Sequence, residues 1–142
     1  MKRMFWLSSV LTVLWIALLA CGGGVTSSGS AQTVQVSESE FSITSSITHF
    51  EVGKSYHFTV KNEGKTSHEF MILPADEGSM TGMSMDDMDK MALVSLDNLQ
   101  PGEMKTLDYT FPASTRGSHP EFACYLTGHY EAGMKQEVSV TA

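Results

Sequence analysis

Short runs in which polar and apolar residues alternate dominate the chain from residue 33 to residue 142. Ser55–Val60 alternates strictly, and every second residue from Leu107 to Phe111 is apolar or aromatic. A period of two is typical of a β-strand that buries one face. Turn-forming residues, such as those of Asn62–Gly64 and Pro74, separate the runs. We therefore predict one all-β domain over residues 33–142, folded as a sandwich or a barrel.

Five further runs have the length and composition of strands. They are Thr33–Val36, Phe41–Ile43, Ile47–Phe50, Glu69–Leu73 and Met134–Val140. The segment at about 75–92 breaks the pattern, because it is rich in methionine and aspartate. Within it Ser84 is a suitable helix N-cap, and acidic residues follow in what would be the first turn. We predict a short helix over residues 84–91, inserted between strands.

The N-terminus has the composition of a targeting segment. Lys2 and Arg3 precede an uncharged apolar run, Met4–Ala20, which is shorter than the roughly 20 residues that a membrane span needs. A basic start, an apolar run and small residues at its end predict a secretory signal peptide over residues 1–20. Leu18-Leu19-Ala20-Cys21 resembles the lipobox of bacterial lipoproteins, which implies that Cys21 carries a lipid. An uncleaved membrane anchor, with Cys21 incidental, is the alternative.

The residues after the predicted signal suggest a tether. From Cys21 to Gln32 the chain is mostly Gly, Ser and Thr, a composition typical of flexible linkers. We therefore expect the domain to lie outside the cytoplasm, held to a bacterial membrane by the lipid on Cys21, on the periplasmic or cell-surface side.

The net charge restricts the kind of partner. The chain carries a formal charge of −7, and removal of the signal takes away Lys2 and Arg3 but no acidic residue, which leaves −9. Proteins that bind nucleic acid present a basic face, so the charge argues against such a partner. We expect a monomer that meets partner proteins through their basic docking faces, at rates that fall with salt.

A cluster of soft donor residues lies near the C-terminus. Cys124, His129 and Met134 are spaced as Cys-x4-His-x4-Met, and His68 offers a second imidazole that the fold would have to bring in. Two histidines and a cysteine with a weak axial methionine are the ligands of a blue-copper electron-transfer site. Taken singly, Cys124 could instead be a buried core thiol or a redox sensor. A structural zinc site is the alternative metal site, but thioether sulfur is not among the usual ligands of zinc.

These motifs resemble the cupredoxins, the family of plastocyanin and azurin. The resemblance rests on Cys124 to Met134, with glycine before both His129 and Met134, and on Asn-x-Gly followed by His68-x-Phe. It implies a Greek-key β-sandwich with one type 1 copper ion, equatorial ligands His68, Cys124 and His129, and Met134 as the axial ligand. It also implies that His129 is the partly exposed edge through which electrons pass. Glu69 departs from the family, in which Asn commonly follows the first ligand histidine.

Function follows as an expectation from this resemblance. We expect a membrane-tethered protein that carries single electrons between redox partner proteins, as its copper ion cycles between Cu(I) and Cu(II). The alternative is a copper-binding lipoprotein that delivers the ion. We do not expect an enzyme, because multicopper enzymes of this kind use several domains and His-x-His clusters, which the chain lacks.

The methionine-rich insertion admits three interpretations. It could acquire Cu(I), for which thioethers are suitable ligands. It could form the apolar stripe of a helix that packs on the sandwich, since methionine fills irregular contacts, or it could dock a partner. The residues concerned are Met80, Met83, Met85, Met88 and Met91. The remaining histidines, His49, His57 and His119, are not assigned to the metal, although His119 could be a spare ligand.

Overall fold

The computed structural model describes residues 30–74 and 83–142. Within these two ranges the chain forms ten strands, one α-helix and a short 3-10 helix at Ala113–Thr115. The strands are β1 (Gln32–Ser39), β2 (Ser42–Ser45), β3 (His49–Glu51), β4 (Ser55–Asn62), β5 (His68–Leu73), β6 (Val94–Leu99), β7 (Met104–Thr110), β8 (Glu121–Ala123), β9 (Lys135–Glu137) and β10 (Ser139–Thr141); the helix is α1 (Met85–Met91).

The strands form two four-stranded sheets and one two-stranded pair. One sheet has the order β2-β1-β4-β7, the other β6-β5-β8-β9, and β10 pairs with β3. β1 lies parallel to β4, whereas β5 and β8 are antiparallel. Strands that are neighbours in a sheet are thus often distant in sequence, because the chain crosses between sheets. The predicted Greek-key β-sandwich is confirmed.

The core lies between the sheets and is built by the alternation seen in the sequence. Val34 and Val36 on β1 and Phe58 and Val60 on β4 are 0–1% exposed, while the residues between them are more accessible. Burial of each such side chain contributes roughly 1.5–3 kcal/mol. Aromatic rings fill the centre, with Phe50 in contact with four of them. These four are Tyr56, Phe58, Phe111 and Phe122.

Each run predicted to be a strand overlaps at least one strand. The run Met134–Val140, however, is divided between β9 and β10, which belong to different sheets, and β6 and β8 have no counterpart in the prediction. All three residues of β8 are buried, Glu121 included, and three residues are too few to show an alternation in the sequence. Along β6, Val94 to Leu96 are half-buried and the next two residues are exposed, which also obscures the period of two.

The predicted helix is confirmed, with Ser84 as its N-cap. Ser84 Oγ accepts the backbone N–H of Asp87, and Lys90 pairs with Asp87 on the exposed side. Met88 is fully buried in a second apolar cluster, whose other buried members are Met71, Leu73, Ala123 and Tyr125. This position fits the core interpretation for Met88.

Parts of the earlier expectations lie outside the described residues. These are the signal peptide, Cys21 and most of the tether, together with residues 75–82, Met80 and the side chain of Met85. Met83 and Met91 are described and are half-buried. Within residues 30–74 and 83–142, no helix has both the length and the apolar character that crossing a bilayer requires.

Candidate metal centre

Four residues singled out in the sequence come from two regions of one sheet. His68 begins β5, Cys124 directly follows β8, and Met134 directly precedes β9. His129 lies in the loop between the last two. Because β8 pairs antiparallel with both β5 and β9, the ends that carry these residues meet at one pole of the sandwich.

The donor atoms of three of these residues lie close enough to share an ion. His129 Nδ1 is 3.3 Å from both His68 Nδ1 and Cys124 Sγ. All three donor atoms lie within 4.8 Å of one another, and in the described part of the chain no other group of three or more His, Cys, Asp or Glu residues meets this criterion. Donors in a trigonal plane around an ion bound at about 2.0–2.3 Å would be about 3.5–4.0 Å apart. The spacing therefore fits a shared metal ion.

Backbone hydrogen bonds hold the loop that carries three of the donors. The Cys124 N–H donates to the Met134 carbonyl at 3.1 Å, and the Met134 N–H donates to the His129 carbonyl at 3.0 Å. Gly128 and Gly133 have φ of 84° and 102°, values that side chains disfavour. Met134 is fully buried beside Cys124 in the main core. The loop thus returns Met134 to the neighbourhood of Cys124.

A second turn fixes His68. Asn62, a buried residue, donates from Nδ2 to the carbonyls of Thr66 and Leu99 at 2.8 and 2.9 Å, and its Oδ1 accepts the Gly64 N–H at 2.8 Å. A Cβ atom added at Gly64 would lie 2.7 Å from His68 Nε2. Gly64 therefore allows the turn to approach the ring, while Nδ1 of the same ring faces Cys124 and His129.

Glu69 joins the two ligand segments. Its Oε1 accepts the backbone N–H of Tyr125 at 2.8 Å, and both residues are buried. The carboxylate that departs from the family pattern therefore makes a hydrogen bond between the residue after His68 and the residue after Cys124.

We expect Glu69→Ala to be less stable than Glu69→Gln by about 1–2 kcal/mol, because only glutamine retains an acceptor for the buried Tyr125 N–H. Urea unfolding of the two variants measures the difference. The comparison removes the carboxylate charge from both proteins, so it isolates the acceptor. Equal stabilities would show that this hydrogen bond contributes nothing.

The site favours neutral ligands until a cation binds. Burial raises the pKa of the Cys124 thiol to about 11, and the nearby carboxyls of Glu38 and Glu69 act in the same direction; hydrogen bonds from the backbone N–H groups of Glu69 and Leu126 oppose the shift. Burial and His129 lower the pKa of His68. An incoming metal ion would therefore displace the thiol proton and find an unprotonated imidazole.

Two residues near the Cys124 centre, Glu38 and Phe41, were not among the site residues predicted from the sequence. Glu38 is fully buried, and neither of its carboxyl oxygens has a hydrogen-bond partner among the described residues. Glu38 lies two residues after Val36 and four after Val34, and this period of two, visible in the sequence, places it on the core face of β1. Phe41 is 52% exposed and lies edge-on to the half-buried His129 ring, with the two ring centroids 5.9 Å apart.

The remaining histidines lie elsewhere. His119 precedes β8, whereas Cys124 follows it. The His119 ring pairs with the Glu137 carboxylate. His57 pairs with Asp108 on β7, and His49 lies on β3.

No family model matches the chain. Three relatives share the name copper-resistant cuproprotein CopI. The protein from Pseudomonas aeruginosa is 29% identical over 119 residues, that from Rubrivivax gelatinosus 27% over 93, and that from Vibrio cholerae 34% over 88. The matches cover 62%, 62% and 58% of this chain. The chain spans only 64%, 53% and 48% of those relatives' own lengths, respectively.

Solved structures agree on the fold. The chain is similar to reduced auracyanin from Roseiflexus castenholzii, with a TM-score of 0.60, 21% identity, and coverage of 80% of this chain and 100% of the other. Auracyanin B matches with a TM-score of 0.63 and 20% identity, over 79% of this chain and 90% of the other. Auracyanin A from Chloroflexus aurantiacus, described as a "blue" copper protein, matches with a TM-score of 0.60 and 16% identity, over 77% of this chain and 98% of the other. With this architecture and the motifs around Cys124, the chain has the cupredoxin fold.

Proposed function

We propose that the protein is a type 1 copper protein that carries single electrons, with His68, Cys124 and His129 as equatorial ligands and Met134 as the axial ligand. The observation that carries the proposal is the convergence of one thiol and two imidazole donors within 4.8 Å. The fold and the name of the CopI relatives support copper as the metal.

The chemistry of the donors suits a metal that changes charge. Bound copper would supply a one-electron couple, and the mixture of thiolate, thioether and imidazole ligands accommodates both of its oxidation states. The chain's part is to hold the donors still. The loop from Cys124 to Met134 is closed by its own backbone hydrogen bonds, and Asn62 and Glu69 fix the segment that carries His68. His129 is half-buried beside Phe41, whereas the other three proposed ligands are fully buried, so electrons would pass through its exposed edge.

We extend the proposal to location and partners. Residues 1–20 would be removed as a signal peptide, Cys21 would carry the lipid, and residues 21–32 would separate the domain from an extracytoplasmic membrane face. A monomer with a net charge of −9 would meet partners with basic faces. We propose no enzymatic reaction for it.

Copper handling is the second candidate function, because the relatives are named for copper resistance. In this case the methionine-rich insertion would collect Cu(I), and the centre would pass the ion on. Met83 packs against the second apolar cluster, and both Met83 and Met91 are half-buried, so both retain accessible surface.

Addition of Cu(II) to the purified protein tests the site. We expect an intense thiolate-to-copper absorption band in the visible region, which Cys124→Ser abolishes. A protein that stays colourless, or a serine variant that colours equally, would contradict the ligand assignment.

Repeated redox cycles test the choice of function. The copper-loaded protein is reduced and reoxidised several times in the presence of a Cu(I) chelator. An electron carrier retains its colour over the cycles, whereas a delivery protein loses copper to the chelator each time it is reduced.

A further inference from the structure

Two histidines line one surface groove that is distinct from the Cys124 centre. The groove has a volume of about 240 Å³. Its lining residues come from the start of β3, from the segment before β8, and from the chain where β9 leads into β10. They are Thr48, His49, His119, Glu137, Val138 and Ser139. Two of the three histidines outside the proposed copper site therefore share one concave surface.

Strand register places the two rings on the same face. His49 is the partner of Ser139 in the parallel β3–β10 pair. On the other side, Val138 donates its N–H to the Pro120 carbonyl at 2.9 Å, and Val140 donates to the Ser118 carbonyl at 3.1 Å. These two bonds place His119 opposite Ser139. Residues that are partners across neighbouring strands point to the same face, so His119, Ser139 and His49 form a row.

The dimensions of the row suit one ion between the rings. Neighbouring strands are about 4.8 Å apart, so two spacings separate the histidine Cα atoms by roughly 10 Å. Val138 and Val140 are buried and point into the core, so the half-buried Ser139 between them points outward. Its small side chain leaves room above it for an ion held by both imidazoles, at about 2.0–2.1 Å from each nitrogen.

Each ring is already oriented through its other nitrogen. His119 Nδ1 lies 3.2 Å from Glu137 Oε1, and His49 Nδ1 lies 3.1 Å from Thr48 Oγ1. Metal-binding histidines almost always use the nitrogen that does not bind the metal in such a bond, to a carboxylate or another oxygen, and this sets the ring orientation. Among the hydrogen bonds of the described residues, none involves Nε2 of either ring.

We propose that His49 and His119 bind a divalent transition-metal ion through their Nε2 atoms, with Glu137 orienting His119 and water completing the coordination. Imidazole suits both copper and zinc, and the affinity order of divalent ions places Cu(II) above Zn(II). The site uses none of the residues of the Cys124 centre and does not depend on the function proposed for that centre.

His57 provides a matched control within the same chain. Its Nδ1 lies 2.6 Å from Asp108 Oδ1, so it has the same ring-to-carboxylate arrangement as His119. Its partners on the neighbouring strands are Thr33 and Asp108. This row therefore lacks a second histidine, and we expect no comparable affinity for a metal ion.

The test is a titration of the full protein with Cu(II) under oxidising conditions. The thiolate absorption reports the first centre, and electron paramagnetic resonance reports copper bound by nitrogen and oxygen alone. We expect one further equivalent with the second type of signal. His49→Gln and His119→Gln should each weaken its binding at least about tenfold, and Glu137→Gln by about 10- to 100-fold. The thiolate absorption should not change in any of the three.

His57→Gln should bind as much Cu(II) as the parent protein, with the same affinity. The double variant His49→Gln/His119→Gln should bind one equivalent fewer than the parent, whether or not the Cys124 centre forms, so failure of one proposal is distinguishable from failure of the other. The inference is overturned if the double variant binds as much as the parent, or if His57→Gln loses as much as His119→Gln.

Discussion

Copper-free Glu38→Gln is expected to be more stable than the parent protein at pH 8, by on the order of 4 kcal/mol, and similar to it at pH 4. Burial, with a smaller contribution from Glu69, raises the pKa of Glu38 from 4.5 to about 8. Both carboxyl oxygens lack hydrogen-bond partners among the described residues. The folded protein therefore holds a neutral acid where the unfolded chain would hold a carboxylate.

The sign follows from proton binding. Below pH 4.5 both the folded and the unfolded chain hold this proton, so the raised pKa costs nothing. Between pH 4.5 and 8 the unfolded chain releases it and the folded chain keeps it, so stability falls as the pH rises, by up to about 1.4 kcal/mol per pH unit. Glutamine has nearly the same shape and does not titrate, so the variant lacks this loss.

Urea unfolding of both proteins at pH 4, 6 and 8, with a chelator present, measures the effect. The difference between parent and variant should grow with pH and level off above pH 8. Glu131→Gln, which alters an exposed carboxylate, serves as the control and should follow the parent throughout. A constant difference between Glu38→Gln and the parent would show that Glu38 does not retain a proton in the folded state.

Gly64→Ala should weaken copper binding at the Cys124 centre by at least about 10- to 100-fold, by analogy with the loss of groups that orient metal ligands. The new Cβ would lie 2.7 Å from His68 Nε2, 3.0 Å from Glu40 Oε1 and 3.2 Å from Asn62 Oδ1. The His68 ring is fully buried, and a displacement of the ring away from the new Cβ would disturb the position of Nδ1 relative to Cys124 and His129.

Copper affinity by competition with a chelator, together with the visible spectrum, tests this expectation. Gly53→Ala is the matched control, because Gly53 has a φ of 76° and open space around its Cα. That variant should lose about 1–2 kcal/mol of stability through backbone strain, with an unchanged spectrum. If Gly64→Ala binds copper as the parent does, the close approach of Gly64 does not position His68.

Whether a strand or helix was predicted correctly from the sequence depended on its surroundings in the fold. β1, β4 and β7 belong to a sheet with one face on the core, so they alternate and were predicted. β8 is buried on both faces, and its three residues contain no periodic signal. The helix was predicted because its cap is local: Ser84 and Asp87 are three residues apart and interact directly.

At the metal site too, the features predicted from the sequence involve residues close together in the chain, and those missed involve residues far apart in it. Residue type and spacing in the C-terminal loop indicated a soft metal site at Cys124, His129 and Met134, because these residues are covalently close. Three further features depend on tertiary contacts. They are the hydrogen bond from the Tyr125 N–H to Glu69, the approach of Gly64 to the His68 ring, and the burial of Glu38 without a hydrogen-bond partner among the described residues.

The sequence by itself determined the fold class, the helix cap and the chemical identity of the donors, because periodicity, capping and ligand type are properties of residues near one another in the chain. Only the tertiary structure decided which distant residues meet. The pairing of β5 with β8 brings His68 to Cys124, and the register of β10 between its neighbours brings His49 and His119 to one groove. Register is set by backbone hydrogen bonds and core packing across strands, which the order of residues along a single strand does not encode.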